Sequence, residues 1–165
     1  MGTLNFSTSN LNKGMKLLLT PSKFEGKTTT DAASPHVFSA TGWMDITFVD
    51  VDFVASGDFS YVGGILTYTG DDDLDMTFNM SCAVECNVKN VEVHIAQWQN
   101  GVEVKGSQNV NNSESNTSKV PFSIDSPFTL QKNDTLNLRL KASAACTVNL
   151  YHFSVVLEPN KVELD

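Results

Sequence analysis

The chain is dominated by segments in which apolar and polar residues alternate. In the clearest, Leu74, Met76, Phe78, Met80, Cys82 and Val84 alternate with Asp75, Thr77, Asn79, Ser81 and Ala83. A period of two sends successive side chains to opposite faces, so this segment reads as a strand with one buried side. Leu136, Leu138 and Leu140 repeat the pattern with Asn137, Arg139 and Lys141 between them, and a small-residue turn over Ala142–Ala145 follows. In the next run Thr147, Asn149, Tyr151, Phe153, Val155 and Leu157 share one parity, while Cys146, Val148, Leu150 and His152 share the other. Apolar residues then fall on both faces, which predicts a central strand covered on both sides.

Shorter strands fill the middle of the chain. Ile46, Phe48, Val51 and Phe53 read as one, with Asp45, Asp50 and Asp52 outward; Phe59–Val62, Ile65–Thr69, Val91–Trp98 and Val120–Ile124 read as others. Ser56-Gly57-Asp58, Gly63-Gly64 and Gly70–Asp73 punctuate them. Asn100-Gly101 is a hairpin signal, because both residue types tolerate positive φ. Eight to ten short strands at regular spacing, with no helical period, predict an all-β, jelly-roll-like antiparallel β-sandwich. The pattern sharpens only at Trp43. Residues 1–42 are read as an extended N-terminal arm, with one short strand over Lys16–Thr20 and a loop over Gly26–Pro35, and residues 43–165 as the sandwich.

Composition narrows the function classes. A chain of 165 residues suits one domain. The net charge is −8; Lys13, Lys16, Lys23 and Lys27 against Glu25 and Asp31 give residues 1–40 a net +2, so the remainder carries −10. An acidic body with a single arginine, Arg139, argues against nucleic acid, whose affinity rests on phosphate neutralisation. No apolar run reaches the length of a membrane span, and no membrane partner is expected. The first sixteen residues lack a basic stretch followed by an apolar core, so no secretory leader is expected in them. Cys82, Cys86 and Cys146 are an odd number and fall in or near alternating runs, where a thiol serves as a small apolar filler.

Candidate chemistry is sparse. Asp71, Asp72, Asp73 and Asp75 could supply oxygen ligands to calcium, or simply keep a hairpin turn soluble. His36, His94 and His152 are far apart, and no Ser or Cys stands in a nucleophile motif. Trp43 and Trp98 could stack on sugars, or anchor a core or an interface. No catalytic residue, metal site or cofactor is assigned, and the chain is not expected to be an enzyme.

Three motifs in order carry a resemblance. Gly64-Ile65-Leu66-Thr67-Tyr68-Thr69-Gly70, then Asn100-Gly101-Val102-Glu103-Val104-Lys105-Gly106-Ser107, then Leu130-Gln131-Lys132-Asn133-Asp134-Thr135-Leu136-Asn137-Leu138, resemble a recurrent module of tailed-phage virion proteins. The resemblance covers residues 46–157. It implies a tumour-necrosis-factor-like jelly roll, a homotrimer, and a role in capsid decoration or in a fibre. The expected function is a structural virion protein, made in the host cytoplasm, that decorates and stabilises the outer capsid surface as a trimer. The alternative is a receptor- or glycan-binding module of a head or tail fibre. The expected partners are a second and third copy and the major capsid protein. Leu4, Phe6, Leu11, Leu17, Leu18 and Leu19, with Lys13, Lys16, Lys23 and Lys27, are the candidate capsid-contact residues of the arm. Tyr151, Phe153 and Val155 are the candidates for the trimer interface.

Overall fold

A computed structural model describes residues 24–39, 41–47, 51–55, 57–113 and 118–160. Among these there is no helix, and the strands are β1 Phe24–Thr28, β2 Ser34–Phe38, β3 Gly42–Asp45, β4 Val51–Ala55, β5 Phe59–Val62, β6 Ile65–Tyr68, β7 Leu74–Cys86, β8 Glu92–Gln99, β9 Val102–Glu103, β10 Asn109–Asn112, β11 Val120–Leu130, β12 Thr135–Ala142 and β13 Cys146–Pro159. They form two antiparallel sheets. The first runs β11-β7-β13-β1-β4, with β2 also on β13; the second runs β10-β8-β12-β6-β5, with β3 on β12 and β9 on β8. From β6 the chain crosses repeatedly between sheets, so strands consecutive in sequence seldom pair, as in a jelly roll.

The two inner faces make one core. Met76, Phe78, Met80, Cys82, Val84 and Cys86 of β7 face inward, as the alternation predicts. Leu136, Leu138, Leu140 and Ala142 of β12 meet them from the second sheet. Gln97 of β8 also faces inward and is 0% exposed; its side-chain Oε1 accepts the Ser126 hydroxyl of β11 at 2.7 Å, a polar tie between the sheets. Gly26 is required by a close approach: a Cβ there would lie 2.5 Å from the ring of Phe53, which stacks on Phe24.

Three expectations need correction. The run after Cys146 does not have two buried faces. Val148 and Leu150 face the core, and so do Phe153, Val155 and Leu157, because β13 carries a bulge between Tyr151 and Ser154. Tyr151 pairs with Ala83 and Ser154 with Ser81, so β13 spends one more residue than β7 over this step. His152 takes the left-handed conformation, φ 51°, and resets the parity. Residues 24–28 and 34–38, expected in an extended arm, are strands of the first sheet. Phe24 is buried on β1, which pairs with both β13 and β4, and Ser34, His36 and Phe38 are buried on β2, which pairs with β13. The expected loop over Gly26–Pro35 therefore holds the end of one strand and the start of the next. Finally, Ile46 lies just past β3 rather than within a strand, donating its N–H to the Leu138 carbonyl at 2.9 Å. Phe48 and the expected strand over Lys16–Thr20 lie outside the described residues.

The three motifs meet at one end of the second sheet. Asn100, at φ 52°, and Asn133, at φ 71°, take the left-handed turn positions. The Asp134 carboxylate accepts Gln99 Nε2 at 2.7 Å, Asn100 Nδ2 at 2.6 Å and the Gln131 N–H at 2.8 Å. Tyr68 donates its N–H to the Asp134 carbonyl at 2.9 Å and its hydroxyl to the Asp72 carbonyl at 2.6 Å. Burial pushes the Asp134 carboxyl up, but the bonds from Asn100, Gln131 and Gln99 outweigh it and hold the group below its ordinary value. The aspartate locks three loops together, which is the physical content of its place in the motif.

Candidate functional site

The outer face of the second sheet carries side chains that the fold does not require. On β12 the leucines point inward, so Asn137, Arg139 and Lys141 point out. On β8 the outward set is His94, Ala96 and Trp98; on β3 it is Trp43 and Asp45. Register sets Trp43 beside Lys141 and Lys141 beside His94, then Asp45 beside Arg139 and Arg139 beside Ala96, then Asn137 beside Trp98.

These side chains assemble into an aromatic and cationic platform. The Trp43 ring reaches across β12 and meets the Trp98 ring edge to face, with centroids 5.7 Å apart and planes at 68°. It also lies 6.3 Å from the His94 ring. Ala96, between His94 and Trp98 on the same face and opposite Arg139, is 0% exposed despite pointing outward. The Arg139 guanidinium lies over the Trp98 ring at 4.3 Å and donates from Nε to Asp45 Oδ1 at 2.8 Å. Trp98 Nε1 is buried without a hydrogen-bond partner, so the indole is held by its face contacts. Lys141 Nζ stands 5.9 Å from the Trp43 centroid and has no carboxylate partner among the described residues. His94 is flanked by Gln108, at 2.8 Å from Nδ1, and by Glu92, at 3.6 Å from Nε2.

The other candidates fall elsewhere. Asp71 pairs with Lys132 at 2.6 Å, Asp73 accepts from Gln131 at 3.2 Å, and Asp75 accepts the Thr129 hydroxyl at 2.7 Å. The acidic turn is thus tied to β11 and the loop after it, and among the described residues no three His, Cys, Asp or Glu side chains converge on one point. All three cysteines are buried free thiols; burial pushes Cys82 up to about 12, and burial with the neighbouring Cys86 pushes Cys146 to about 12. His36 is buried, its Nδ1 donating to the Ser34 carbonyl at 3.0 Å and its Nε2 accepting the Thr47 N–H at 3.1 Å. His152 stands exposed on the bulge, 3.4 Å from Asp31. A small apolar opening between the sheets, about 40 Å³, is lined by Phe24, Phe53, Tyr61 and their neighbours. It has room for a water molecule or two and not for a substrate.

The proposed trimer residues separate. Phe153 and Val155 are each 3% exposed inside the core of the sandwich, and only Tyr151 faces outward, with Lys119 Nζ 3.8 Å from its ring centre. Of the arm residues, Lys27 lies on β1; Leu4, Phe6, Leu11, Lys13, Lys16, Leu17, Leu18, Leu19 and Lys23 lie outside the described residues. The residues of the platform are visible in the sequence one by one. Alternation places Arg139 and Lys141 outward, but only the register brings Trp43 beside them.

Solved structures with the same arrangement exist. The sandwich superposes on murine APRIL at pH 5.0 with a TM-score of 0.53 and 9% identity, covering 84% of this chain and 99% of that one. The fold is a tumour-necrosis-factor-like jelly roll. Eiger TNF from S. frugiperda also aligns, with a TM-score of 0.49, 12% identity, and 88% and 96% of the two chains covered. No protein-family model matches the chain, and no curated protein sequence does. At such identities the likeness of this jelly roll to its neighbours is one of fold alone.

Proposed function

We propose that the chain is a structural virion protein that decorates and stabilises a phage capsid as a homotrimer, without catalysis. The observation that carries the reading is the outer face of the first sheet. Asn79, Ser81 and Ala83 of β7 lie beside Val156, Ser154 and Tyr151 of β13, a short uncharged strip two strands wide, bordered by Glu85 opposite Asn149, by Asp125 on β11 and by Glu25 and Lys27 on β1. Copies meeting over such a strip leave the charges at its rim, and Tyr151, with Lys119 over its ring and Glu85 beside it, supplies an aromatic contact at the border. The order of the three loop motifs adds the likeness to phage modules. The leucines and lysines of the N-terminal segment would reach the major capsid protein. Three linked arms bind as one multivalent unit, so each contact can be weak, and anything that binds the assembled shell stabilises it.

Sedimentation tests the trimer: a stable monomer at micromolar concentration sinks it. Particles lacking the protein are expected to burst at lower temperature and still adsorb to cells. Particles that stay robust but lose adsorption favour the second reading, a receptor- or glycan-binding module of a head or tail fibre. The tryptophan platform on the other sheet is the observation on its side.

A further inference from the structure

We propose that the outer face of the second sheet binds a carboxylated saccharide, with Trp43 as the stacking surface and Lys141 and Arg139 as the carboxylate-binding pair. The inference rests on the side chains of β3, β8 and β12 alone, whereas the trimer and capsid readings rest on the first sheet and the arm, so either can fail without the other.

Four features support it. First, two tryptophans meet on the outside of a sandwich whose core is already filled from within. The cheap way to cover an outward sheet face is with polar or aliphatic side chains. Two indoles in contact on the outward face are more apolar surface than the fold needs. Second, Arg139 is preorganised. Its Cζ lies over the Trp98 ring and its Nε is held by Asp45, two contacts that restrict the direction of its terminal nitrogens, which have no partner among the described residues. A fixed guanidinium loses little freedom when it grips an oxyanion. Third, Lys141 is adjacent on the same strand face and its amine is unpaired among the described residues. The sole arginine of an acidic chain thus stands next to an uncommitted lysine. Fourth, the distances suit a sugar ring. Neighbouring strands are about 4.8 Å apart and alternate residues on one strand about 7 Å, so a pyranose lying on Trp43 spans the gap to Lys141 and Arg139. Its C–H face meets the indole and its carboxylate meets the cations. A neutral sugar would leave the charges unused, and an acidic peptide would leave the aromatic face unused.

The test uses the full chain and calorimetric titration with α-1,4-trigalacturonate. Maltotriose serves as the uncharged counterpart and poly-L-glutamate as the acidic peptide. Trigalacturonate is expected to bind, with an affinity that falls as salt rises. Trp43→Ala and Lys141→Gln are each expected to weaken binding about tenfold, the scale of one lost stacking or charge-assisted contact. Both are surface changes, and an unchanged urea midpoint establishes that each variant is folded. Val54→Ser, on the exposed edge of the first sheet, should leave binding unchanged. No binding at ~10 mM trigalacturonate, equal binding of maltotriose, or equal binding of polyglutamate overturns the proposal. So does undiminished binding by both platform variants.

Discussion

The bulge in β13 makes a prediction in which adding and removing one residue have opposite consequences. Deleting His152 leaves Leu150 inward, Tyr151 outward and Phe153 inward, which is the plain alternation of a strand. Pairing with Ala83, Cys82 and Ser81 of β7 then runs one to one. The deletion also removes a left-handed residue other than glycine, at φ 51°, whose conformation costs about 1 kcal/mol. The variant is therefore expected to fold, with a stability within about 2 kcal/mol of the parent, the loss of local twist offsetting the relief of strain. Inserting one alanine between His152 and Phe153 does the reverse. It turns Phe153, Val155 and Leu157, now 3%, 3% and 0% exposed, towards solvent, and brings Ser154, Val156 and Glu158 inward. Losing three buried apolar side chains costs about 5–9 kcal/mol, before the desolvation of a carboxylate. That is comparable with the whole stability of a domain, about 5–15 kcal/mol. Urea titration followed by tryptophan fluorescence measures both variants. An unfolded deletion variant alongside a stable insertion variant would refute the parity argument.

Three further outcomes follow from the polar sites. Burial holds the His36 imidazole below its ordinary 6.5, with the bond to Ser34 opposing, so the unfolded chain takes up a proton first as the pH falls. Stability should be full above 6.5 and decline towards the lower folded value, and a protonated Nε2 would also face the Thr47 N–H; His36→Gln should flatten the urea midpoint across that window, and an unchanged slope counts against the assignment. Asp134→Ala removes the acceptor of three loop-end bonds and should cost about 1–2 kcal/mol, discounted for partial exposure; hydrogen exchange should quicken at Asn100 and Gln131, and a neutral effect on both readouts would contradict the lock. With Cys82 and Cys146 near 12, thiol reagents at pH 8 should leave the native protein unmodified and titrate three thiols once it is unfolded; fast labelling of the native state would show that the core opens.

Legibility in the sequence followed the chemistry of the buried positions. β7, β8 and β12 could be read because their inward sets are mostly Leu, Met, Val, Phe and Cys, so burial and hydropathy rise and fall together. β1 and β2 also alternate in burial, but their inward positions include Gly26, Ser34 and His36. No apolar period is present to be seen, so in sequence they are indistinguishable from an arm and a loop. The parity of β13 misled because a bulge adds a residue without changing the local composition, and Phe153 and Val155 moved from a proposed seam into the core. The site divides the same way. Trp43 and Trp98 stand out individually, but 55 positions separate them in sequence numbering, and only the β3-β12-β8 register brings them together.

β13 has hydrogen-bonded neighbours along both edges: β7 on one side, β1 and β2 on the other. It is also the last of the described strands to be synthesised. Among the described strands β2 pairs with nothing else, so while the ribosome makes residues 39 to 145 that segment has none of them to join. At ordinary translation rates the wait is on the order of ten seconds, long compared with collapse and long enough for unpaired strands to find one another on neighbouring nascent chains. The Gly, Ser and His at the inward positions of β1 and β2 give such encounters little to hold. β1 can pair early with β4, whereas β2 keeps only Phe38 as a large apolar inward residue and offers a neighbouring chain little purchase before β13 arrives.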